Sequence, residues 1–203
     1  MNQTNSKLIG RIRLFEELLG LAATERQNTI ASALSKSRMV AAIMEPGDER
    51  TILIAAMCLW TAYLGRIEDV VVYTDNEERA REIMAMIRQL NENVPRSWAR
   101  PTRGKGMRED NFVAFSGAAS ITTGKIRDHV SIWHDLVIID GADRIERGQT
   151  TSEAIRYARE MAPNVRILVL GQERAEMMEA VVASGAFSVF SPVEAEPPCD
   201  RVQ

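Results

Sequence analysis

The sequence of 203 residues contains few cysteines, histidines and aromatic residues, and charge of neither sign dominates it. Cys58 and Cys199 have no partner at the spacing of a metal or redox motif, which gives no basis for a disulfide framework or a zinc site. The net charge of −3 excludes a strongly basic nucleic-acid coat but allows a local basic patch. No apolar run reaches the roughly 18 residues of a membrane span, and the first residues lack the apolar centre of a signal peptide. We therefore expect a cytoplasmic protein without membrane contact.

Apolar runs alternate with amphipathic stretches along most of the chain. The runs that predict strands are 39–43, 70–73, 136–140, 165–170 and 187–190, with a hairpin formed by 112–115 and 120–123. Helical patterns cover 51–64, a stretch capped by Asp75 or Asn76 that runs to Leu90, 151–161 and 173–184. Continuous apolar strands alternating with helices predict an α/β fold, a mainly parallel sheet flanked by helices.

We expect the chain to divide into three parts. Residues 1–36 form an N-terminal helical segment whose second helix follows Thr24 as N-cap, with Gln27 at the capping-box position. Residues 37–193 form the α/β domain. Residues 194–203, which contain two prolines, form a flexible tail.

The turn at 45–51 lies between a strand and a helix, where a P-loop would lie. A phosphate cradle needs glycines whose N–H groups converge on the anion, a lysine for the terminal phosphates, and a Ser or Thr for magnesium. Thr51 meets the last requirement, and Arg50 offers a positive charge in place of the lysine. The carboxylates in this turn repel an anion and are typical of a first helical turn, where they complement the helix dipole. The sequence therefore favours a structural role for the turn, with a nucleotide site as the alternative.

The run at 136–140 has the form of a Walker B strand, because four apolar residues end in Asp140. In an active ATPase such an Asp holds the magnesium shell, and a Glu usually follows it. Here Gly141 follows, and Asp143 is the nearby carboxylate that could substitute. Asp140 and Asp143 are thus the candidates for catalysis, while a simple turn-forming role for Asp140 stays open.

A basic stretch without acidic residues covers 96–108. It is the candidate contact for DNA, because clustered cations release counterions from phosphates and an aromatic ring can stack on a base. The alternative is a solvated loop. The residues expected at DNA are Arg96, Trp98, Arg100, Arg103, Lys105 and Arg108.

Taken in order, these features resemble the N-terminal ATPase domain of bacteriophage terminase large subunits, the DNA-packaging motors. The similarity runs roughly from Arg26 to Gln172 and implies a P-loop ATPase-like fold of the RecA/terminase type. It also implies that Gln27 lies near the adenine, that Arg50 meets the phosphates, and that Thr51 and Asp140 bind nucleotide and its magnesium. DNA and phage packaging proteins are the partners that the resemblance implies, in the cytoplasm of a bacterial host, and oligomerisation fits it.

The sequence differs from this family at the positions that bind and hydrolyse nucleotide. Glu49 and Arg50 stand at the Walker A glycine and lysine positions, and Gly141 stands at the position of the catalytic glutamate. We therefore expect degenerate motifs and a pseudo-ATPase that binds DNA or motor components, with hydrolysis weak or lost. The expected cofactor is none, and Mg-ATP is the one implied if nucleotide binds. We also expect a chain of this length to lack the nuclease domain of the family.

The part of the chain from Asp135 onward is also similar to the latter half of a response-regulator receiver domain. Asp140 would then be the phospho-acceptor and Asp75 part of the acidic pocket. The hydroxyl residue expected near Gly171 and the lysine expected before Pro192 are missing. A pseudo-receiver signalling or protein-interaction domain is accordingly the second hypothesis.

Overall fold

Strands and helices follow one another in the order that the apolar runs predict. The computed structural model describes residues 19–64, 69–94, 112–114, 120–125, 135–141, 165–172 and 176–190. The helices are α1 (Glu25–Lys36), α2 (Asp48–Leu64), α3 (Glu77–Glu92) and α4 (Glu176–Ala183). The strands are β1 (Met39–Ile43), β2 (Asp69–Thr74), β3 (Phe112–Ala114), β4 (Ser120–Lys125), β5 (Leu136–Asp140), β6 (Arg166–Gly171) and β7 (Ser188–Phe190).

Within the described residues, seven strands form one sheet in the order β3-β4-β2-β5-β6-β1-β7. The neighbouring strands are parallel except for β3 and β4, which are antiparallel, as expected of the predicted hairpin. The fold class expected from the sequence is therefore confirmed. Because β6 separates β1 from β5, the turns that follow β1 and β5 both reach the end of β6. The Met44 N–H donates to the Gly171 carbonyl at 2.8 Å, and the Gly141 N–H donates to the Leu170 carbonyl at 3.1 Å.

Both faces of the sheet are buried, which explains why its central strands are continuously apolar. On one face, Val40, Val72 and Ile138 pack in a core cluster with helices α1, α2 and α3. On the other face, Val71 and Val169 pack with residues of α4. Successive side chains of a strand point to opposite faces, so each strand supplies both clusters.

Helices α2 and α3 differ in how much of their surface is buried. Helix α2 is apolar nearly all round because it packs on the sheet and is covered by α3. Its fully buried Cys58 has a thiol whose pKa is raised by burial. Helix α3 is amphipathic and begins after the N-cap Asn76, and its buried side is the predicted one: Ala80, Ile83, Met84, Ile87 and Leu90.

Other sequence predictions meet the structure with different results. The capping box of Thr24 and Gln27 is present. Helix α2 begins at Asp48 rather than 51, so Arg50 and Thr51 lie in its first turn. Residues 1–18, the basic stretch at 96–108, Asp143, the predicted helix at 151–161 and the tail at 194–203 lie outside the described residues. No helix in the described ranges is both long and apolar enough to cross a membrane.

Candidate functional site

The candidate site lies at the edge of the sheet where the parallel strands β1, β2, β5 and β6 end. Sheets of this kind bind ligands outside the carboxyl ends of their strands. A cavity of about 780 Å³ opens at this edge, between the first turn of α2 and helix α3. Its lining includes Arg50, Thr51, Asp75, Arg79 and Asp140. The strand order thus brings together residues that are far apart in the sequence.

Arg50 ties together the ends of three strands. Its side chain is 2% exposed and forms an ion pair with Asp140 at the end of β5, through Nε and Nη2. Nη1 donates to the Met44 carbonyl after β1 at 2.9 Å, and Nη2 donates to the Leu170 carbonyl of β6 at 3.0 Å. A buried guanidinium is tolerated where its donors find acceptors, and the fork of Arg50 finds them on all three nitrogens. Arg50 therefore points into the sheet edge, where each of its three nitrogens already has an acceptor.

Asp140 is paired on both of its carboxylate oxygens. It is 2% exposed, and while Oδ1 accepts from Arg50, Oδ2 accepts from Nε of Arg79 at 2.7 Å. Arg79 is the third residue of α3 and 18% exposed, so the second pair lies at the cavity wall. A buried carboxylate is stable when it is paired and hydrogen-bonded, and Asp140 meets both conditions.

Arg79 also connects Asp140 to the hydroxyl of Thr51. Its Nη1 donates to Thr51 Oγ1 at 2.8 Å and to Glu82 Oε2 at 3.1 Å. The Thr51 hydroxyl in turn donates to the Gly47 carbonyl at 3.0 Å. A hydroxyl has a single proton to donate, so Thr51 gives its proton to the backbone and receives one hydrogen bond from Arg79. Thr51 and Asp140, the two residues that the sequence predicts at magnesium, are therefore bridged by the side chain of Arg79.

The charge of Arg79 is well supported by its surroundings. Partial burial by itself lowers the pKa of the guanidinium, but the attraction of Asp140 and hydrogen bonds to Asp140 and Glu82 outweigh it, so the pKa is raised. Arg50, Arg79, Asp140 and Glu82 together are a neutral group of two cations and two anions. The raised pKa therefore keeps Arg79 positively charged in the neutral range.

Gln27 lies outside this cavity lining and joins two helices. It is 4% exposed; its Oε1 accepts from the Thr24 N–H at 3.0 Å, and its Nε2 donates to the Glu49 carbonyl at 3.0 Å. The Thr24 hydroxyl donates to the Glu49 carboxylate at 2.7 Å. Gln27 therefore fixes α1 against the first turn of α2, and the adenine contact that the resemblance implies remains a prediction.

Gly141 gives a physical reason for the missing glutamate. Its φ of +74° lies in the left-handed region, which glycine adopts readily and other residues adopt at a cost. A Cβ built on it would lie 3.8 Å from the carboxylate carbon of Asp75, which is an ordinary contact. The backbone conformation, rather than crowding, disfavours a side chain directly after Asp140.

The side chains of this site are not arranged to bind magnesium or a nucleoside triphosphate. A metal would need lone pairs of Thr51 Oγ1 and of the Asp140 carboxylate. These oxygens already accept hydrogen bonds from Arg50 and Arg79. No group of three or more His, Cys, Asp or Glu side chains in the described part of the chain is arranged to hold a metal. The cavity lining also has more acidic than basic residues, which disfavours a polyanion. Its acidic residues are Asp48, Asp75, Glu78, Glu82 and Asp140, against Arg50 and Arg79.

The sequence identified part of this constellation. Arg50, Thr51 and Asp140 were expected at one site and the structure brings them together. Arg79 was missed because it belongs to no motif. Its position was the available signal. Arg79 lies in the first turn of the helix that follows β2, just as Arg50 lies in the first turn of the helix that follows β1.

The parallel sheet, with its Walker B-like strand two places from the strand that precedes the P-loop position, has the architecture of a P-loop ATPase-like α/β domain. No protein-family model and no curated protein matches the chain. Among solved structures, the large terminase of bacteriophage HK97 is similar with a TM-score of 0.74 and 14% identity, over 98% of this chain and 45% of that one. The chain thus spans less than half the length of that terminase.

Two further structures show how widely the fold is shared. The large terminase ATPase domain of Thermus phage P74-26 has a TM-score of 0.66 and 14% identity, over 87% of this chain and 83% of that domain. Dbp5 of S. cerevisiae has a TM-score of 0.62 and 11% identity, over 96% of this chain and 53% of that chain. At these identities the likeness is one of fold, and the terminase resemblance inferred from the sequence is confirmed at that level.

Proposed function

We propose that this chain is a terminase-like pseudo-ATPase, which uses the fold of a packaging ATPase to bind partners and does not hydrolyse nucleotide. The observation that supports the proposal is the ion-pair network of Arg50, Asp140 and Arg79. A P-loop protein needs a cation that meets the phosphates and an acid that holds the magnesium shell. In this chain the cation and the acid satisfy each other.

Two further features oppose hydrolysis, and the burial of the Arg50–Asp140 pair opposes nucleotide binding. Glu49 places a carboxylate in the first turn of α2. A phosphate bound there would accept hydrogen bonds from backbone N–H groups and would be repelled by this carboxylate. Gly141 supplies no side chain to polarise a water. Displacing Arg50 from Asp140 would leave a 2% exposed carboxylate without one of its two partners, which is costly in a protein interior. A triphosphate would have to offset that cost before it bound.

Calorimetry with Mg-ATP tests this proposal most directly. We expect no heat of binding at micromolar or submillimolar nucleotide and no phosphate release above the buffer rate. Micromolar binding, or a phosphate release that Asp140→Ala abolishes, would refute the pseudo-ATPase. An active P-loop ATPase in the same assay serves as the positive control.

The partner that we propose is DNA or a component of a packaging motor, in the host cytoplasm. The terminase resemblance supports both, and the acid-free cluster of cations at 96–108 supports DNA. DNA binding measured by fluorescence anisotropy should weaken as salt is raised, and replacing both Arg100 and Arg103 by Ala should weaken it further. Arg81→Ala is the matched control, because Arg81 is an exposed arginine on α3. Equal affinity of the double variant and the control would show that the basic stretch is not the DNA contact, and absence of DNA binding by the wild type would leave a motor component as the partner.

The pseudo-receiver hypothesis has one observation in its favour, which is that Asp75 and Asp140 line the same cavity. The strand order opposes it. In a receiver, with its order 2-1-3-4-5, the strand next to the fourth is the last of the chain. Here the corresponding neighbour of β6 is β1, which comes first, and β7 lies beyond it. We therefore expect no phosphorylation of Asp140 by acetyl phosphate, and mass spectrometry of the intact protein can check this.

A further inference from the structure

Arg79 contacts the two groups that a P-loop protein uses for its metal. One guanidinium donates to Asp140 Oδ2 at 2.7 Å and to Thr51 Oγ1 at 2.8 Å. A divalent ion bound between these residues would need the same lone pairs, because both oxygens are ligands for hard cations. The arginine and the ion therefore exclude each other.

We propose that Arg79 is a built-in cation that occupies the place of a divalent metal between Thr51 and Asp140 and keeps the site free of metal. The proposal deepens the pseudo-ATPase proposal and concerns the same site, since it assigns the exclusion of metal to one side chain. The lost hydrolysis is attributed above to several residues, whereas metal exclusion depends on Arg79.

The charge balance of the site supports this role. Arg50, Arg79, Asp140 and Glu82 sum to zero as they stand. A divalent cation added to this group would leave two uncompensated positive charges beside two guanidinium ions in a partly buried site. Without Arg79 the group carries one net negative charge, and the carboxylates of Asp75 and Glu78 line the same cavity. Removing Arg79 would therefore leave the oxygens of Thr51 and Asp140 without a competing cation in an acidic cavity.

Of the two arginines that pair with Asp140, Arg79 is the one whose place a metal ion could take. Arg50 is 2% exposed and bonded to two backbone carbonyls, so it is part of the sheet edge. Arg79 is 18% exposed, and its Nη2 finds no hydrogen-bond partner among the described residues. Its guanidinium is therefore held by Asp140, Thr51 and Glu82, whose oxygens could also bind a cation.

The test is a titration with Mn²⁺ alone, with free Mn²⁺ measured by its electron paramagnetic resonance signal. Arg79→Met removes the charge and the donors while it keeps much of the side-chain length. We expect this variant to bind one Mn²⁺ at least about tenfold more tightly than the wild type, because removal of one unit of positive charge a few ångströms from the ion is worth that much or more. Adding Asp140→Asn to the variant should abolish the gain.

Arg81→Met is the matched control, because Arg81 lies on the same helix and pairs with Glu77 at the surface. It should bind Mn²⁺ no more tightly than the wild type. An Arg79→Met variant that gains no affinity, or a gain that survives Asp140→Asn, would overturn the proposal. Mg-ATP binding by the wild type would instead refute the pseudo-ATPase, so the two proposals fail in different experiments.

A second measurement on the wild type does not depend on the folding of any variant. The Arg79 Nε–H is held by Asp140 and should give a slowly exchanging ¹H–¹⁵N signal, which the spectrum of Arg79→Lys identifies by its absence. Millimolar Mg²⁺ should leave this signal in place. A signal that moves or disappears as Mg²⁺ is added would show that the metal displaces Arg79, and the proposal would be wrong.

Discussion

Helices α2 and α3 start in closely similar ways and have different roles at the site. Each follows a strand of the parallel sheet, and each begins with two acidic residues and an arginine: Asp48, Glu49 and Arg50 in α2, and Glu77, Glu78 and Arg79 in α3. Both arginines reach Asp140, one at each carboxylate oxygen. The first is 2% exposed and the second 18%.

The difference between the two arginines comes from the strand order rather than from the local sequence. Strand β1 is separated from β5 by β6, so Arg50 passes the end of β6 and bonds to its Leu170 carbonyl on the way to Asp140. Strand β2 is next to β5, so Arg79 meets Asp140 directly and has donors left for Thr51 and Glu82. Similar helix starts thus place one arginine, Arg50, within the sheet edge and the other, Arg79, at the cavity wall.

The largest expected effect is that of Arg50→Met. It leaves Asp140 with one partner and removes the donors to the Met44 and Leu170 carbonyls. Breaking one side of a buried ion pair costs about 3–5 kcal/mol, so we expect the free energy of unfolding to fall by that amount. Urea denaturation followed by circular dichroism measures it.

A double variant separates the charge from the packing at this position. Adding Asp140→Asn to Arg50→Met removes the uncompensated carboxylate and should restore part of the lost stability, because a neutral amide is less costly to bury than an unpaired charge. A double variant that is less stable than Arg50→Met would contradict the assignment of Arg50 as the principal counterion of Asp140.

Arg79→Met should cost less than Arg50→Met. The pair with Asp140 is partly exposed, and a charged hydrogen bond of this kind contributes about 1.5–3 kcal/mol to stability. The matched control Arg81→Met should change stability by less than about 1 kcal/mol, because its pair with Glu77 is at the surface. Equal losses for Arg50→Met and Arg79→Met would remove the distinction between the two arginines.

Much of the fold was predictable because its signals are local. The apolar run at 136–140 and the buried side of α3 are periodic patterns, and the capping box of Thr24 and Gln27 is a four-residue motif. The site was predictable in part, since the forms of a P-loop turn and a Walker B strand indicate Arg50, Thr51 and Asp140. That Arg50 is buried in an ion pair depends on β6 lying between β1 and β5, a long-range fact that no local pattern contains. Arg79 belongs to no motif, and its contact with Asp140 depends on the same strand order.

Gly141→Ala tests the end of β5 without touching either arginine. The φ of +74° should cost an alanine about 1–2 kcal/mol in the free energy of unfolding. Gly185→Ala is the matched control, because Gly185 has a φ of +63° and nothing within 4 Å of an added Cβ. Similar losses at both positions would assign the cost to the backbone, and a clearly larger loss at Gly141 would assign part of it to Asp75.

The smallest expected effect concerns the cap of α3. Asn76 Oδ1 accepts from the backbone N–H of Arg79 at 2.8 Å, so the cap holds the residue whose side chain completes the ion-pair network. Asn76→Ala should cost about 1 kcal/mol, as the loss of an N-cap does. Combined with Arg79→Met it should be non-additive by about 0.5 kcal/mol or more, because the two changes affect one residue.

Thr24→Ala removes the cap of α1, which does not contact Arg79, and should add to Arg79→Met without coupling. Strict additivity for Asn76 as well would mean that Arg79 is positioned by its ion pairs alone and that the start of α3 plays no part in placing it.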